Sequence, residues 1–231
     1  MKLSSVQIAL IAVFAALQAL FALIPYAIPV GVSGQITLGI VGGSLIGILL
    51  GPITGGLAAL IGSFVGVLVN PAGAIFGILT IFPPTAAAIG AGCVRSRRGY
   101  VAGAIILASL LVFYAHPYGG ELLAYPWLSI IAMIVAFSPL SFIAGSGFKL
   151  SGGTKLVFGI VIAAFVGTLA DKMVGDAIAI WYFSPSIPPS VWYSIMYVYP
   201  IERILATFLI SVIALPVYLG LKRANLIDSL K

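Results

Sequence analysis

The chain has 231 residues, 62% of them hydrophobic and 7% charged, with a mean hydropathy of +1.24. So little charge cannot cover a water-soluble surface, and long uncharged runs exclude a β-barrel, whose strands would alternate; the expectation is one all-α integral membrane domain, 1–231. The formal net charge of +6 is scattered through loops, which gives no nucleic-acid footprint, and the single Cys93 excludes an internal disulfide and a cysteine-based zinc site.

In chain order, Val6–Ile24 is the first apolar run. It follows Lys2 as a signal peptide would, but it is longer than a usual signal core and reads as a retained helix. Two small-residue faces lie on it, Ala12/Ala16 and Ala15/Ala19. A Pro- and Gly-rich loop, Pro25–Gln35, comes next. From Gly34 to Pro71 glycines recur every four residues, at 39, 43, 47, 51 and 55 and again at 62 and 66, with no charge between them. In water each interior glycine costs a helix about 1 kcal/mol. In hydrocarbon the helix is enforced, and a glycine row on one face lets a neighbouring backbone come close. Gly51-Pro52 divides the stretch into two short helices, about 37–50 and 53–69.

After a turn at Asn70–Gly73, a fourth span covers about 75–94, with Pro83-Pro84 expected to kink it or unwind a turn. Arg95, Arg97 and Arg98 end it. A fifth span, about 100–115, leads into the loop His116–Pro126. The sixth, about 127–146, stops before Lys149 and Lys155. The seventh, about 156–182, is long enough to tilt. Ser184–Ser190 breaks the chain again, and the eighth span, about 194–220, ends before Lys222 and Arg223. With eight spans every loop lysine and arginine falls on one side, so the positive-inside rule places both termini in the cytoplasm. Six or seven spans remain compatible, because the glycine helices are short and the fourth span is proline-broken. The expectation is thus a bundle of about six to eight transmembrane helices, multi-pass in the plasma membrane. The outward loops carry most of the Tyr and Trp, as an interfacial belt or as stacking surfaces for a flat ligand.

Charges inside spans carry the functional question. Asp171, Lys172 and Asp176 sit late in the seventh span, and Glu202 and Arg203 early in the eighth. At about 1.5 Å per residue both groups fall in the outer half of the bilayer and can meet. One reading is an ion-pair network that fastens two helices. The other is a polar wall for a solute entering from outside, with Asp171, Asp176, Glu202 and Arg203 as contacts, aromatic help from Trp181 and Tyr182, and Gln35 and Asn70 as further candidates. His116, next to Pro117 at a span end, reads as an interfacial loop residue and Cys93 as packing. No phosphate-binding loop, metal-ligand set or nucleophile elbow is present, and one histidine gives no triad, so neither catalysis nor a cofactor is expected.

The run Ile36-Thr37-Leu38-Gly39, with Gly51-Pro52-Ile53-Thr54-Gly55-Gly56, Gly62 and Asn70-Pro71 after an Ala-rich first helix, resembles the substrate-binding S component of energy-coupling factor (ECF) vitamin transporters. The resemblance covers about residues 5–95 and continues more loosely through Pro200 and Arg203 in the last helix. Family members usually have six spans, against eight counted here. The resemblance implies a binder for a vitamin or related micronutrient, with a pocket under the first loop and two soluble ABC ATPases and a transmembrane T component as partners. It also implies that an Ala-x-x-x-Ala face docks on the T component, matched by Ala12 and Ala16 or, in the other register, Ala15 and Ala19. The competing readings are a structural subunit of a larger membrane complex and a self-sufficient secondary transporter. The latter has no inverted repeat behind it.

Overall fold

A computed structural model describes residues 4–23, 27–30, 34–149 and 153–226, with backbone only for 27–30 and 34–39. The chain is a multi-pass helical membrane bundle. Its helices are α1 (Ser5–Leu23), α2 (Leu38–Leu50), α3 (Pro52–Val69), α4 (Phe82–Arg95), α5 (Gly99–Tyr114), α6 (Trp127–Phe137), α7 (Pro139–Gly147), α8 (Thr154–Tyr182), α9 (Pro189–Met196) and α10 (Tyr199–Arg223). Among the described residues the extended structure is one antiparallel hairpin in the first loop. It joins β1 (Ala27–Val30) to β2 (Gly34–Thr37), with Ile28 opposite Ile36.

Five stretches are long and apolar enough to cross a bilayer: α1, α3, Gly77–Arg95, α8 and α10. The bent pair α6–α7 makes a sixth, while α2 and α5 are apolar but shorter. Side-chain contacts show that the successive helices nevertheless alternate between two poles. At one pole Gly92 packs on Gly51-Pro52, Arg95 Nη1 donates to the carbonyls of Ile48 and Leu49, and the Tyr218 hydroxyl donates to Phe148 O at 2.9 Å. At the other, Phe76 meets Tyr182 edge-on at 6.1 Å, Trp181 Nε1 donates to Val112 O at 3.0 Å and the Tyr193 hydroxyl donates to Glu121 O. Arg95 at the end of α4, Lys155 at the start of α8, and Arg97, Arg98 and Lys149 between helices all lie at the first pole, which the positive-inside rule makes the cytoplasmic one. The start of α1 and the end of α10 lie there too, since α1 runs beside α3 in the same direction and Tyr218 reaches Phe148.

The glycine row explains the assembly. α2 is buried from Val41 to Leu50 and is enclosed by α1, α3, α4, α8 and α10. A Cβ at Gly47 would collide with the carbonyl of Ala88, and one at Gly43 with that of Pro84, so α2 and α4 touch backbone to backbone. Gly62 and Gly66 of α3 likewise receive Ala15, Gln18, Ala19 and Ala22 of α1. Hydrocarbon gives no hydrophobic drive between helices, so such close van der Waals contact is what holds them. Gly51, at φ +86°, makes the tight turn into Pro52, the first residue of α3.

Three local readings change. Pro83-Pro84 kinks no helix, and of the two expected outcomes the span shows the other, a turn not wound as α-helix. The proline pair opens α4, after a 3-10 segment at Gly77–Ile81, where proline removes no needed N–H. The sixth span is broken by 70° between α6 and α7, because Ser138 caps the second helix through Leu140 N at 3.2 Å and Pro139 occupies its first position. The eighth begins as the short α9 and turns before α10.

Replacing Gly47 with Ala or Leu is expected to lower the melting temperature of the purified chain by the overpacking of a contact with no side chain to yield, about 1–3 kcal/mol. Gly120→Ala, where an added Cβ meets nothing within 4 Å, is the control expected to melt unchanged.

Candidate functional site

On α8, residues 171 and 172, 175 and 176, and 179 repeat once per turn and so share a face. On α10, Tyr199, Glu202 and Arg203 do the same. The two faces meet in the half of the bundle away from the basic pole. All five charged side chains there are buried, with 7–8% of their surface exposed. Arg203 Nη1 donates to Asp171 Oδ2 at 2.8 Å and to Thr168 O at 3.3 Å, tying α10 to α8. Thr168 and Thr207 hydroxyls continue the link at 3.3 Å. Lys172 Nζ donates to both carboxylate oxygens of Asp176, one turn on, and to the Tyr125 hydroxyl at 2.7 Å. It also lies over the rings of Tyr125 and Tyr199, at 4.8 and 4.5 Å. Tyr199 in turn donates to Tyr125 O at 2.9 Å and accepts from Leu128 N at 3.2 Å, which locks the loop before α6 against α10. Burial, and next the negative charge of Asp176, push the Tyr125 phenol well above its ordinary range, so it stays a neutral hydroxyl that accepts from Lys172 and donates to Asp176.

These side chains form one wall of a chamber of about 710 Å³. α1 contributes Gln18 and Phe21, α3 contributes Ser63 and Asn70, and the segment leading into α4 contributes Phe76 and Thr80. Of the residues expected to contact a solute, Asn70, Asp171, Asp176, Glu202 and Arg203 line the chamber, and Lys172 joins them. Asn70 also has a local task, its side chain accepting from Gly73 N at 3.3 Å to cap the 3-10 turn after α3. Trp181 and Tyr182 do not line the chamber. They are half exposed at the outer pole, Trp181 against His116 and Tyr182 against Phe76. At about 100° per residue they stand five and six positions past Asp176, rotated roughly 140° and 120° from its face. The side chain of Gln35, on β2, lies outside the described residues.

The residue that sequence reasoning missed is Gln18. It is 2% exposed, its amide nitrogen donates to Ser63 Oγ at 3.3 Å, and its Oε1, pressed against Gly42, has no hydrogen-bond partner among the described residues. The available signal was a polar amide in an otherwise apolar stretch of the first helix. The two alanine faces of α1 also separate. Ala15 and Ala19 are buried against α3, whereas Ala12 and Ala16 are exposed beside Val13 and Leu20. His116 Nδ1 accepts from Tyr118 N at 3.1 Å and closes a turn. Among the described residues no cluster of His, Cys, Asp and Glu has the form of a metal site. A chamber with both signs of charge, amides and aromatic rims can hold a small polar molecule.

No family model and no solved structure match the chain. It is similar to an uncharacterised protein of Methanocaldococcus jannaschii, 29% identical over 161 residues that make up 70% of this chain and 53% of that protein. The chain thus spans about half the length of that relative.

Breaking the Lys172–Asp176 pair from one side should be costly, because the remaining charge is left buried and alone. Lys172→Met or Asp176→Leu is expected to destabilise by about 3–5 kcal/mol, and the double substitution by far less. Thermal unfolding of the three variants in one detergent checks the pattern.

Proposed function

We propose that this chain is the solute-binding membrane component of an ECF-type importer in the plasma membrane. It captures a vitamin or related micronutrient from outside and releases it inside with a transmembrane T component and two ABC ATPases. The observation that carries the reading is the chamber of about 710 Å³, walled by buried charges in the half of the bundle opposite the basic pole. That volume is within the range of small-molecule sites, about 300–1,000 Å³, and charges within a membrane usually mark a solute pathway. The exposed Ala12/Ala16 face of α1 supports the partner half of the proposal, because small residues there admit the close approach of another helix. The Ala15/Ala19 register is already taken by α3.

One observation favours a structural subunit instead: Lys172 pairs with Asp176, Arg203 with Asp171 and, at the longer distance of 3.7 Å, with Glu202, so all five charges already face a protein partner. Gentle purification of the tagged chain from its host, with mass spectrometry of co-purifying proteins and retained small molecules, separates the two. A T component with two ATPases, or a bound vitamin-like solute, is the expected result. Stoichiometric recovery with unrelated membrane subunits and no small molecule would give the structural reading. Ala16→Trp is expected to reduce recovery of the partner proteins at least several-fold while leaving solute retention intact. Ala15→Trp, forced against α3, is expected to destabilise the chain itself.

A further inference from the structure

The wall of the chamber holds three carboxylates, Asp171, Asp176 and Glu202, and two cations, Lys172 and Arg203, a formal sum of −1. Both cations already face protein acceptors. Lys172 is held by Asp176, the Tyr125 hydroxyl and two tyrosine rings, and Arg203 through Nη1 by Asp171 and the Thr168 carbonyl, while its Nε is buried with no hydrogen-bond partner among the described residues. Glu202 is the group left over. Its nearest cation is Arg203 Nη2 at 3.7 Å, beyond hydrogen-bond reach, and among the described residues no hydrogen bond meets its carboxylate, although it is 8% exposed. Nor does the first loop balance it, since residues 24–39 contain no Asp, Glu, Lys or Arg. The described basic residues other than Lys172 and Arg203 belong to the opposite pole.

Three kinds of solute can be compared against this wall. An anion would add to a wall whose formal sum is already −1, beside Glu202 and Asp171. A neutral solute without N–H or O–H donors would leave the buried Glu202 carboxylate accepting no hydrogen bond, which low-dielectric surroundings penalise. A cation with N–H donors neutralises the wall and completes the coordination of Glu202, while Phe21 and Phe76 cover its apolar part. We infer that the solute held in this chamber is a small organic cation, bearing an ammonium or protonated ring nitrogen whose charge lies against Glu202. The inference rests on the solute-binding reading above and names the chemistry of that site.

The test uses the full chain in detergent, incubated with a small-molecule extract of its host and examined by native mass spectrometry with identification of the released compound. The expected result is a retained species carrying a cationic nitrogen. Glu202→Gln should weaken its binding by about thirtyfold or more, while Glu202→Asp, which keeps the charge, retains part of it. An anionic or uncharged retained species overturns the cation inference and leaves solute binding standing. So does equal affinity in Glu202→Gln. If Glu202→Gln fails to fold, the charge of the species held by the unmodified chain and the affinity of Glu202→Asp decide the question alone. If the unmodified chain retains nothing from the extract, solute binding itself fails, and the inference with it.

Discussion

The architecture depends on the direct backbone contact of α2 with α4, where Gly43 and Gly47 admit the carbonyls of Pro84 and Ala88. In hydrocarbon, helices gain from close packing and lose from voids, so the half of the bundle built from Gly and Ala closes tightly. Toward the outer pole the facing residues become large or charged, such as Phe21, Phe76, Tyr199 and Arg203. Some of the glycine contacts border the chamber directly, since Pro84, which meets Gly43, and Gly66, which meets Ala22, both line it.

The charges in that space are arranged to tolerate their burial. Each of the two cations meets a carboxylate, and the tyrosines beside Lys172 add a hydroxyl and two ring faces. A pair of this kind contributes little net stability, since desolvation offsets attraction, but it fixes the register of α8 against α10. Arg203 bridges the two helices, whereas Lys172 and Asp176 face each other along one.

Much of this was legible in residues whose meaning is local. Glycines spaced by four announce a helix face, Gly51-Pro52 a turn, and five charges in apolar runs a buried polar wall. What sequence pattern missed depended on context. Ser138-Pro139 is a cap-and-start signal that an uninterrupted apolar run conceals, and Gln18 carries no charge to make it conspicuous. Trp181 and Tyr182 were near the acidic residues in number but not in angle. The choice between the two alanine registers of α1 could not be made without knowing where α3 lies, because both have the same spacing.

The enclosure of α2 also frees its length from the bilayer. Thirteen residues rise about 20 Å, well short of a hydrocarbon core of about 30 Å. A helix facing lipid would have to thin the bilayer to match, but α2 is buried from Val41 onward and meets protein on every side. Its length is set by its neighbours instead. A membrane of different thickness would be felt by the peripheral helices, which can tilt, while the central post keeps its own dimensions.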